Sequence, residues 1–168
     1  MDFRAELIAQ IPHLRRFARA LTGDAALADD LVQDCVERAL LKSHLYDPAR
    51  PLKAWLYAVL RNLYVSGLRR QGRAQAVKTV DELTGFEGAM APAQDGQVAL
   101  SQVASALDRL PESHREVIVL VAVEEMSYRD VAEITGVPVG TVMSRLSRAR
   151  GALRAILGES GTGLRRVK

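Results

Sequence analysis

The residues whose types and spacing suggest a chemistry lie in the stretch SYRDVAEITGVPVGTVMSRLSRARGALRAIL, residues 127–157. From Val139 to Ile156, apolar residues recur every three or four positions, which predicts a helix with one buried stripe. Small polar side chains let a helix approach base edges closely, and arginines reach phosphates or guanine. The pattern therefore favours DNA recognition, although a helical hairpin with a solvated basic face remains an alternative. Helical geometry assigns the following residues to the outward face or its margins: Gly140, Thr141, Met143, Ser144, Arg145, Ser147 and Arg148.

The segment before this helix predicts how it is positioned. Ser127 and Asp130 have the spacing of a capping box, so a short helix should begin at Tyr128. Gly136 suits the left-handed residue that ends this helix, and Pro138 suits the first turn of the next one. This order of a short helix, a tight turn and a longer basic helix is typical of a helix-turn-helix DNA-binding motif.

The rest of the chain also predicts helices. Aromatic residues make up only 5% of the chain, while hydrophobic residues make up 48%, so the interior must be aliphatic, which favours an all-α fold. Helical periodicity is clear over residues 3–21, 25–42 and 52–70, and again from Val98 onward, with a helix predicted at 112–124. On residues 25–42 the apolar side is predicted to include Leu27. The opposite side carries Asp29, Asp30, Gln33, Asp34 and Glu37.

The net charge of +3 is small, but its distribution is uneven. Residues 43–78 carry seven Lys or Arg and one acid, and residues 139–168 carry seven and one. Between them, residues 79–97 carry four acids and no base. Two basic segments separated by an acidic one suggest two contacts with a polyanion.

Other classes of function are disfavoured. Cys35 is the only cysteine and the three histidines are scattered, so we expect no metal site and no cofactor. A nucleic-acid enzyme would need paired carboxylates or an activated nucleophile. The neighbouring Asp29 and Asp30 point in different directions on a helix and do not form such a pair, so we expect that the protein is not an enzyme. The charged N-terminus is unlike a signal peptide, and no run of about 18 apolar residues occurs, which favours a cytoplasmic protein without a membrane span.

Three stretches carry a resemblance to a known family. LPESHREVIVLVAVEEMSYRDVAEITGVPVGTVMSRLSRAR (110–150) resembles region 4 of the extracytoplasmic-function sigma factors, the small σ70-type subunits of bacterial RNA polymerase. ALADDLVQDCVERAL (26–40) and LKAWLYAVLRNLYVSGLRR (52–70) resemble region 2. The resemblance implies two helical domains: region 2 at 1–74 and region 4 at 98–158, joined by a flexible acidic linker at 75–97, with a tail at 159–168.

The resemblance also implies the partners. Such a protein binds core polymerase, recognises the −35 and −10 promoter elements and promotes transcription initiation, and we expect an anti-sigma factor to control it. The core contacts would be the clamp helices of the largest subunit and the flap. The clamp helices would meet Asp30, Gln33, Asp34 and Glu37.

The −10 element would be read by the loop 43–51 and the outer face of residues 52–70, where melted bases can be captured. The residues implied for this task are Tyr46, Arg61, Asn62 and Arg69. The −35 element would be read by Thr141, Met143, Ser144, Arg145, Ser147 and Arg148. Met143 and Ser147 depart from the family, which commonly has a cation at the first position and an aromatic or His at the second. The alternative function is a dimeric helix-turn-helix regulator, which would not need the acidic face or the 52–70 helix.

Overall fold

The computed structural model describes residues 2–75 and 95–159, and every regular element in these two segments is helical. The N-terminal bundle consists of α1, α2 and α3, and the C-terminal bundle of α4 to α7. The bounds are α1 Phe3–Thr22, α2 Ala25–Leu41, a 3₁₀ turn Ser43–Leu45, α3 Leu52–Gln75, α4 Asp95–Asp108, α5 Glu112–Ile118, a π-helical turn Val119–Val123, α6 Tyr128–Thr135 and α7 Val139–Glu159.

Local capping explains where several helices begin and end. The side chain of Asp24 accepts a hydrogen bond from the backbone N–H of Leu27 at 2.8 Å, which starts α2. Ser127 accepts the N–H of Asp130 at 3.1 Å and starts α6. Gly136 ends α6 with φ 69°, the left-handed conformation that glycine adopts without steric cost. The predicted start of α6 at Tyr128 and the predicted turn glycine are both confirmed.

In the N-terminal bundle, α1 packs against α2 and α3, and α2 packs against α3. Phe17 and Tyr57 meet edge to face, with 5.1 Å between their ring centroids. Leu14, Leu56 and Leu60 complete a core in which each of these side chains is at most 1% exposed. The acidic side of α2 is therefore turned to solvent by the burial of its other side.

In the C-terminal bundle, α5 and α6 both pack against α7. The buried stripe of α7 includes Val142, Leu146 and Ala149, as the periodicity predicts. Val139 was also expected on this stripe, but as the first residue of α7 it is 41% exposed, and burial of the stripe begins at Val142. Burial of one side of α7 leaves its small polar side facing outward.

The two bundles pack against each other rather than standing apart. α3 contacts α6, and α1 contacts α5 and the π-helical turn. The buried apolar residues of both bundles form one contiguous cluster. The interface between the bundles therefore encloses side chains that periodicity alone assigns to an outer face.

Several details of the predicted helices differ from the structure. α3 continues to Gln75, beyond the predicted end at residue 70, and α4 begins at Asp95, before the predicted start at Val98. The helix predicted at 112–124 divides into α5 and the π-helical turn. Leu27, predicted to be buried, is 55% exposed. Residues 76–94 of the predicted linker and residues 160–168 of the predicted tail lie outside the described residues.

Candidate nucleic-acid interface and the contact between the bundles

The outward side of α7 is an open surface of small and basic side chains. Ser144, Ser147 and Arg148 are exposed, and Thr141 and Arg145 are half-buried. Met143 is 53% exposed, so an apolar side chain stands among the polar ones. The hydroxyl of Ser144 donates to the carbonyl oxygen of Thr141 at 3.0 Å and so remains close to the helix. The structure brings all six residues predicted for −35 recognition onto one helix.

The acidic face of α2 is also open. Asp30, Gln33, Asp34 and Glu37 are all exposed, and the side-chain amide of Gln33 donates to the carboxylate of Glu37 at 3.2 Å. Leu27 lies at the edge of this face, so the surface combines carboxylates with apolar area. Such a combination suits a protein partner better than it suits DNA, whose phosphates the carboxylates would repel.

The four residues predicted for −10 recognition are not gathered on one open face. Asn62 and Arg69 are exposed on α3. Tyr46 instead packs its ring 5.5 Å from that of Trp55 and 5.8 Å from that of Phe3, and its hydroxyl donates to the carbonyl oxygen of Arg50. Its ring is therefore not a free stacking surface in this arrangement.

Arg61 was predicted on the outer face of α3, but the C-terminal bundle covers it. Its side chain is only 22% exposed, and its guanidinium donates to the carboxylate of Glu116 on α5. Burial raises the pKa of Glu116, although Arg61 acts in the opposite direction. The pairing of a predicted DNA-contacting arginine with an acid of the other bundle is a feature that helical periodicity does not predict.

Glu124 forms the centre of the contact between the bundles. Its carboxylate is completely buried and receives hydrogen bonds from Arg16 Nε at 2.9 Å and from the Tyr57 hydroxyl at 2.7 Å. His13 Nδ1 lies 2.9 Å from the carboxylate, and Lys53 Nζ lies 3.2 Å away. Lys53 also donates to the backbone carbonyl of Glu124 at 2.7 Å. All four partners belong to the N-terminal bundle.

The backbone around Glu124 departs from regular helix. The N–H of Glu124 bonds to the carbonyl of Val119 at 3.0 Å, five residues back, which closes the π-helical turn. Glu125 then adopts φ 55°, which is unusual for a residue other than glycine. π-helical turns and left-handed residues of this kind often occur at functional positions. Here they turn the chain directly after the carboxylate that joins the bundles.

The electrostatics of Glu124 favour its charged form. Burial alone would raise its pKa, but the hydrogen bonds from Arg16, Tyr57, His13 and Lys53 outweigh burial and lower the pKa to about 2. Burial and the carboxylate of Glu124 both raise the pKa of Tyr57, which therefore remains a hydrogen-bond donor. The contact is a satisfied buried charge cluster.

Sequence reasoning did not identify Glu116, Glu124, His13, Arg16, Lys53 or Tyr57 as interacting residues. The one local sequence feature that could have drawn attention to Glu124 is its position in a glutamate pair directly after the apolar run of residues 117–123. The partners of Glu124 are as many as 111 residues away, so no periodicity could indicate them.

Three further features of the described parts of the chain concern metal-binding clusters, membrane-spanning helices and the reactivity of a thiol. Residues 2–75 and 95–159 contain no cluster of three or more His, Cys, Asp or Glu side chains that could hold a metal ion. No helix in the same two segments is long and apolar enough to cross a membrane. Cys35 is buried, and burial raises its pKa to about 12, which disfavours the reactive thiolate.

Comparison with known proteins assigns both bundles. Residues 7–61 match the family model described as the Sigma2 domain of PhyR, and residues 100–153 match Sigma-70, region 4. The chain is 40% identical over 159 residues to the ECF RNA polymerase sigma factor EcfG of Rhodopseudomonas palustris, covering 93% of this chain and 85% of EcfG. The chain belongs to the ECF RNA polymerase sigma factors. This sigma factor is also 38% identical to SigL of Mycobacterium tuberculosis, covering 88% of this chain and 84% of SigL.

Solved structures agree with this family. The sigma factor RpoE of Bartonella quintana, in complex with the anti-sigma factor NepR, matches with TM-score 0.79 and 36% identity, covering 94% of this chain and 97% of RpoE. CnrH in complex with the cytosolic domain of CnrY matches with TM-score 0.68 and 29% identity, covering 94% and 88% of the two chains. The predicted fold class and family are thereby confirmed.

The lowered pKa of Glu124 predicts how stability depends on pH. Because the folded-state value lies below the ordinary value of 4.5, the ionised carboxylate stabilises the folded chain above about pH 4.5, and this contribution is lost as the pH falls toward 2. Replacing Glu124 with Gln should therefore lower the free energy of unfolding by about 3 kcal/mol at pH 7. Denaturant titrations of both proteins between pH 7 and pH 2.5 should give a difference that shrinks at acid pH. A difference that is constant over this range would contradict the assigned charge state.

Proposed function

We propose that this sigma factor carries out promoter-specific initiation by dividing the task among three surfaces. In the proposal, the acidic face of α2 docks on core polymerase, the outward side of α7 reads the −35 element, and α3 with the loop 43–51 engages the melted −10 element. The observation that carries the proposal is that the α2 and α7 surfaces are both exposed on a chain that is 40% identical to a sigma factor over 93% of its length.

The proposed domains are region 2 at 1–74 and region 4 at 98–158. α7 supports −35 recognition because its small side chains permit close approach to the major groove, and the guanidinium groups of Arg145 and Arg148 can bind phosphates or base edges. The recognition residues proposed are Thr141, Met143, Ser144, Arg145, Ser147 and Arg148.

The α2 surface supports docking on a basic or mixed protein surface. Within the described parts of the chain, Asp30, Asp34 and Glu37 form no ion pair with a cation, and the side-chain hydrogen bond on this face joins Gln33 to Glu37. We assign the clamp-helix contact to Asp30, Gln33, Asp34 and Glu37, and a second core contact, the flap, to the C-terminal bundle.

The −10 assignment requires a rearrangement. Asn62 and Arg69 are exposed and can reach DNA directly, whereas Arg61 and the ring of Tyr46 are engaged within the protein. We assign Tyr46, Arg61, Asn62 and Arg69 to this element in an arrangement in which the bundles have separated. The proposed activity is binding and melting, with the bond-forming chemistry left to the polymerase in the bacterial cytoplasm.

An anti-sigma factor is the proposed regulator. The matched RpoE structure contains the anti-sigma factor NepR, and the matched CnrH structure contains the cytosolic domain of CnrY. Both matches cover 94% of this chain. The exposed acidic and apolar surface of α2 offers an inhibitor the same site that core polymerase would use.

A second candidate function follows from one observation, the match of residues 7–61 to the Sigma2 domain of PhyR. PhyR of Bartonella quintana is described as an anti-anti-sigma factor, and it shares only 17% identity with this chain. A sigma-like decoy would bind an anti-sigma factor without starting transcription. A dimeric helix-turn-helix regulator would bind duplex DNA without polymerase.

In vitro transcription tests the proposal and separates the three functions. Purified chain is added to core polymerase on a library of promoter templates, and RNA starts are mapped. The proposal predicts RNA that begins at defined sites only when the chain is present. Core polymerase alone is the control. A decoy or a dimeric operator-binding protein would give no new starts.

Replacing Arg148 with Ala tests the α7 assignment. If the guanidinium contacts a base or phosphate, the holoenzyme should bind its promoter about 1–3 kcal/mol more weakly in a titration with duplex DNA. Arg154→Ala removes the same charge from an exposed position of α7 that lies nearly two turns further toward its C-terminal end, beyond the six proposed residues, and serves as the matched control. Equal losses for the two variants would indicate a nonspecific charge effect rather than recognition.

Replacing Asp34 with Ala tests the polymerase-docking face. Because Asp34 is exposed, the free energy of unfolding should change little, whereas assembly with core polymerase should weaken by about 1 kcal/mol or more. Asp29→Ala is the matched control, since Asp29 lies on the same helix but pairs with Arg15 of α1. Titration of core polymerase with each labelled variant measures its affinity for core. Unchanged assembly for Asp34→Ala would remove this residue from the docking face.

A further inference from the structure

Four ion pairs between the described parts of the two bundles share one direction of charge. In each pair a glutamate of the C-terminal bundle contacts a basic side chain of the N-terminal bundle, and three glutamates take part. Glu116 pairs with Arg61, and Glu133 pairs with Arg50. The buried Glu124 pairs with Arg16 and Lys53, together with His13 and Tyr57.

The cations that are covered include part of the basic segment 43–78. Arg50, Lys53 and Arg61 all lie in this segment, and the side chains of Lys53 and Arg61 are only 27% and 22% exposed. Carboxylates and phosphates accept hydrogen bonds from the same guanidinium and ammonium donors. A glutamate that occupies such a donor therefore excludes a phosphate from it.

We propose that the contact between the bundles is self-inhibitory, with Glu116, Glu124 and Glu133 occupying cations that the backbone of the melted −10 strand would use. The inference rests on the proposed function of α3 and the loop 43–51 in −10 recognition. In the packed arrangement of the two bundles, which we call closed, the glutamates of the C-terminal bundle compete with DNA for the basic side chains of the N-terminal bundle. Opening of the contact precedes −10 capture.

Glu124 is the residue that controls this competition. Its side chain is completely buried, so separation of the bundles exchanges four protein partners for water. Removal of its charge leaves Arg16 and Lys53 without the anion that they share. The pair between Arg50 and Glu133 is far more exposed, with 60% and 46% of the side chains accessible, and contributes little on its own. The exposed pair is therefore a suitable place for a probe that reports on closure.

The closed arrangement leaves the other two proposed surfaces free. Asp30, Gln33, Asp34 and Glu37 remain exposed, as do Ser144, Ser147 and Arg148. Closure therefore blocks binding of the −10 strand selectively. The polymerase-docking face of α2 and the outward side of α7 are accessible without separation of the bundles.

A reversible lock tests the proposal in the full chain. Arg50→Cys and Glu133→Cys are combined, and the two introduced thiols are joined with a short bismaleimide that contains a cleavable disulfide. Cys35 does not interfere, because it is buried. The same double variant treated with a monofunctional maleimide is the control for the loss of the ion pair and for the added groups. Unmodified chain gives the reference activity.

The locked chain should lose open-complex formation and run-off transcription by about tenfold or more relative to the monofunctional control, while still binding core polymerase. Cleavage of the linker should restore the activity of the control. If the locked chain forms open complexes as fast as the control, the contact is not inhibitory and the proposal is wrong.

Glu124→Gln provides a second measurement that does not depend on polymerase. Introduced into the double variant, it should shift the bundles toward the open arrangement and slow intramolecular cross-linking several-fold, and it should raise run-off transcription at limiting chain concentration. Asp29→Asn, which breaks an exposed ion pair within the N-terminal bundle, should leave the cross-linking rate unchanged. Equal cross-linking rates for Glu124→Gln and its parent would overturn the role of Glu124.

The two kinds of failure are distinguishable. If unmodified chain starts no RNA with core polymerase, the proposed function is wrong, and the cross-linking rates alone then decide whether Glu124 holds the bundles closed. If unmodified chain is active and the lock has no effect, the function stands and the self-inhibition does not.

Discussion

The arrangement of the two bundles depends on one buried carboxylate. Glu124 belongs to the C-terminal bundle, yet Arg16, Tyr57, His13 and Lys53, which hydrogen-bond or pair with it, come from the N-terminal bundle. A buried charge that loses a partner costs several kcal/mol, so a half-closed arrangement is unfavourable. The bundles therefore either meet fully around this carboxylate or separate far enough to hydrate it. This gives the contact the character of a two-state element.

The direction of charge across the contact explains how one surface can serve two purposes. A surface that binds nucleic acid must carry cations, and in a closed chain those cations must be neutralised or hydrated. Here Arg61 and Lys53 are neutralised by Glu116 and Glu124. A carboxylate tethered in the same chain competes at high effective concentration, so a modest interface is enough to oppose DNA. The proposed −10 surface and the contact between the bundles thus use the same side chains.

Local features of this chain were predictable from its sequence, and features that depend on distant partners were not. The capping by Ser127, the left-handed Gly136 and the buried stripe of α7 depend on residues within a few positions of one another. Arg61 looks like an outer-face residue because its helical position says nothing about Glu116, which is 55 residues away. Leu27 looks like a core residue because periodicity gives the spacing of apolar residues but not which of them the neighbouring helices cover. The family resemblance identified the kind of protein, but not the pairing of its two bundles.

The acids in the contact between the bundles differ in role from the acids on the α2 surface because their burial differs. Glu116 and Glu124 lose their hydration on closure and regain stability only from specific donors, so they are committed to the N-terminal bundle. Asp30 and Asp34 remain hydrated and exposed, and they are therefore available to a partner at no structural cost to the chain. The same residue type thus serves internal closure where it is buried and external docking where it is exposed. Burial, rather than acidity, separates the two roles.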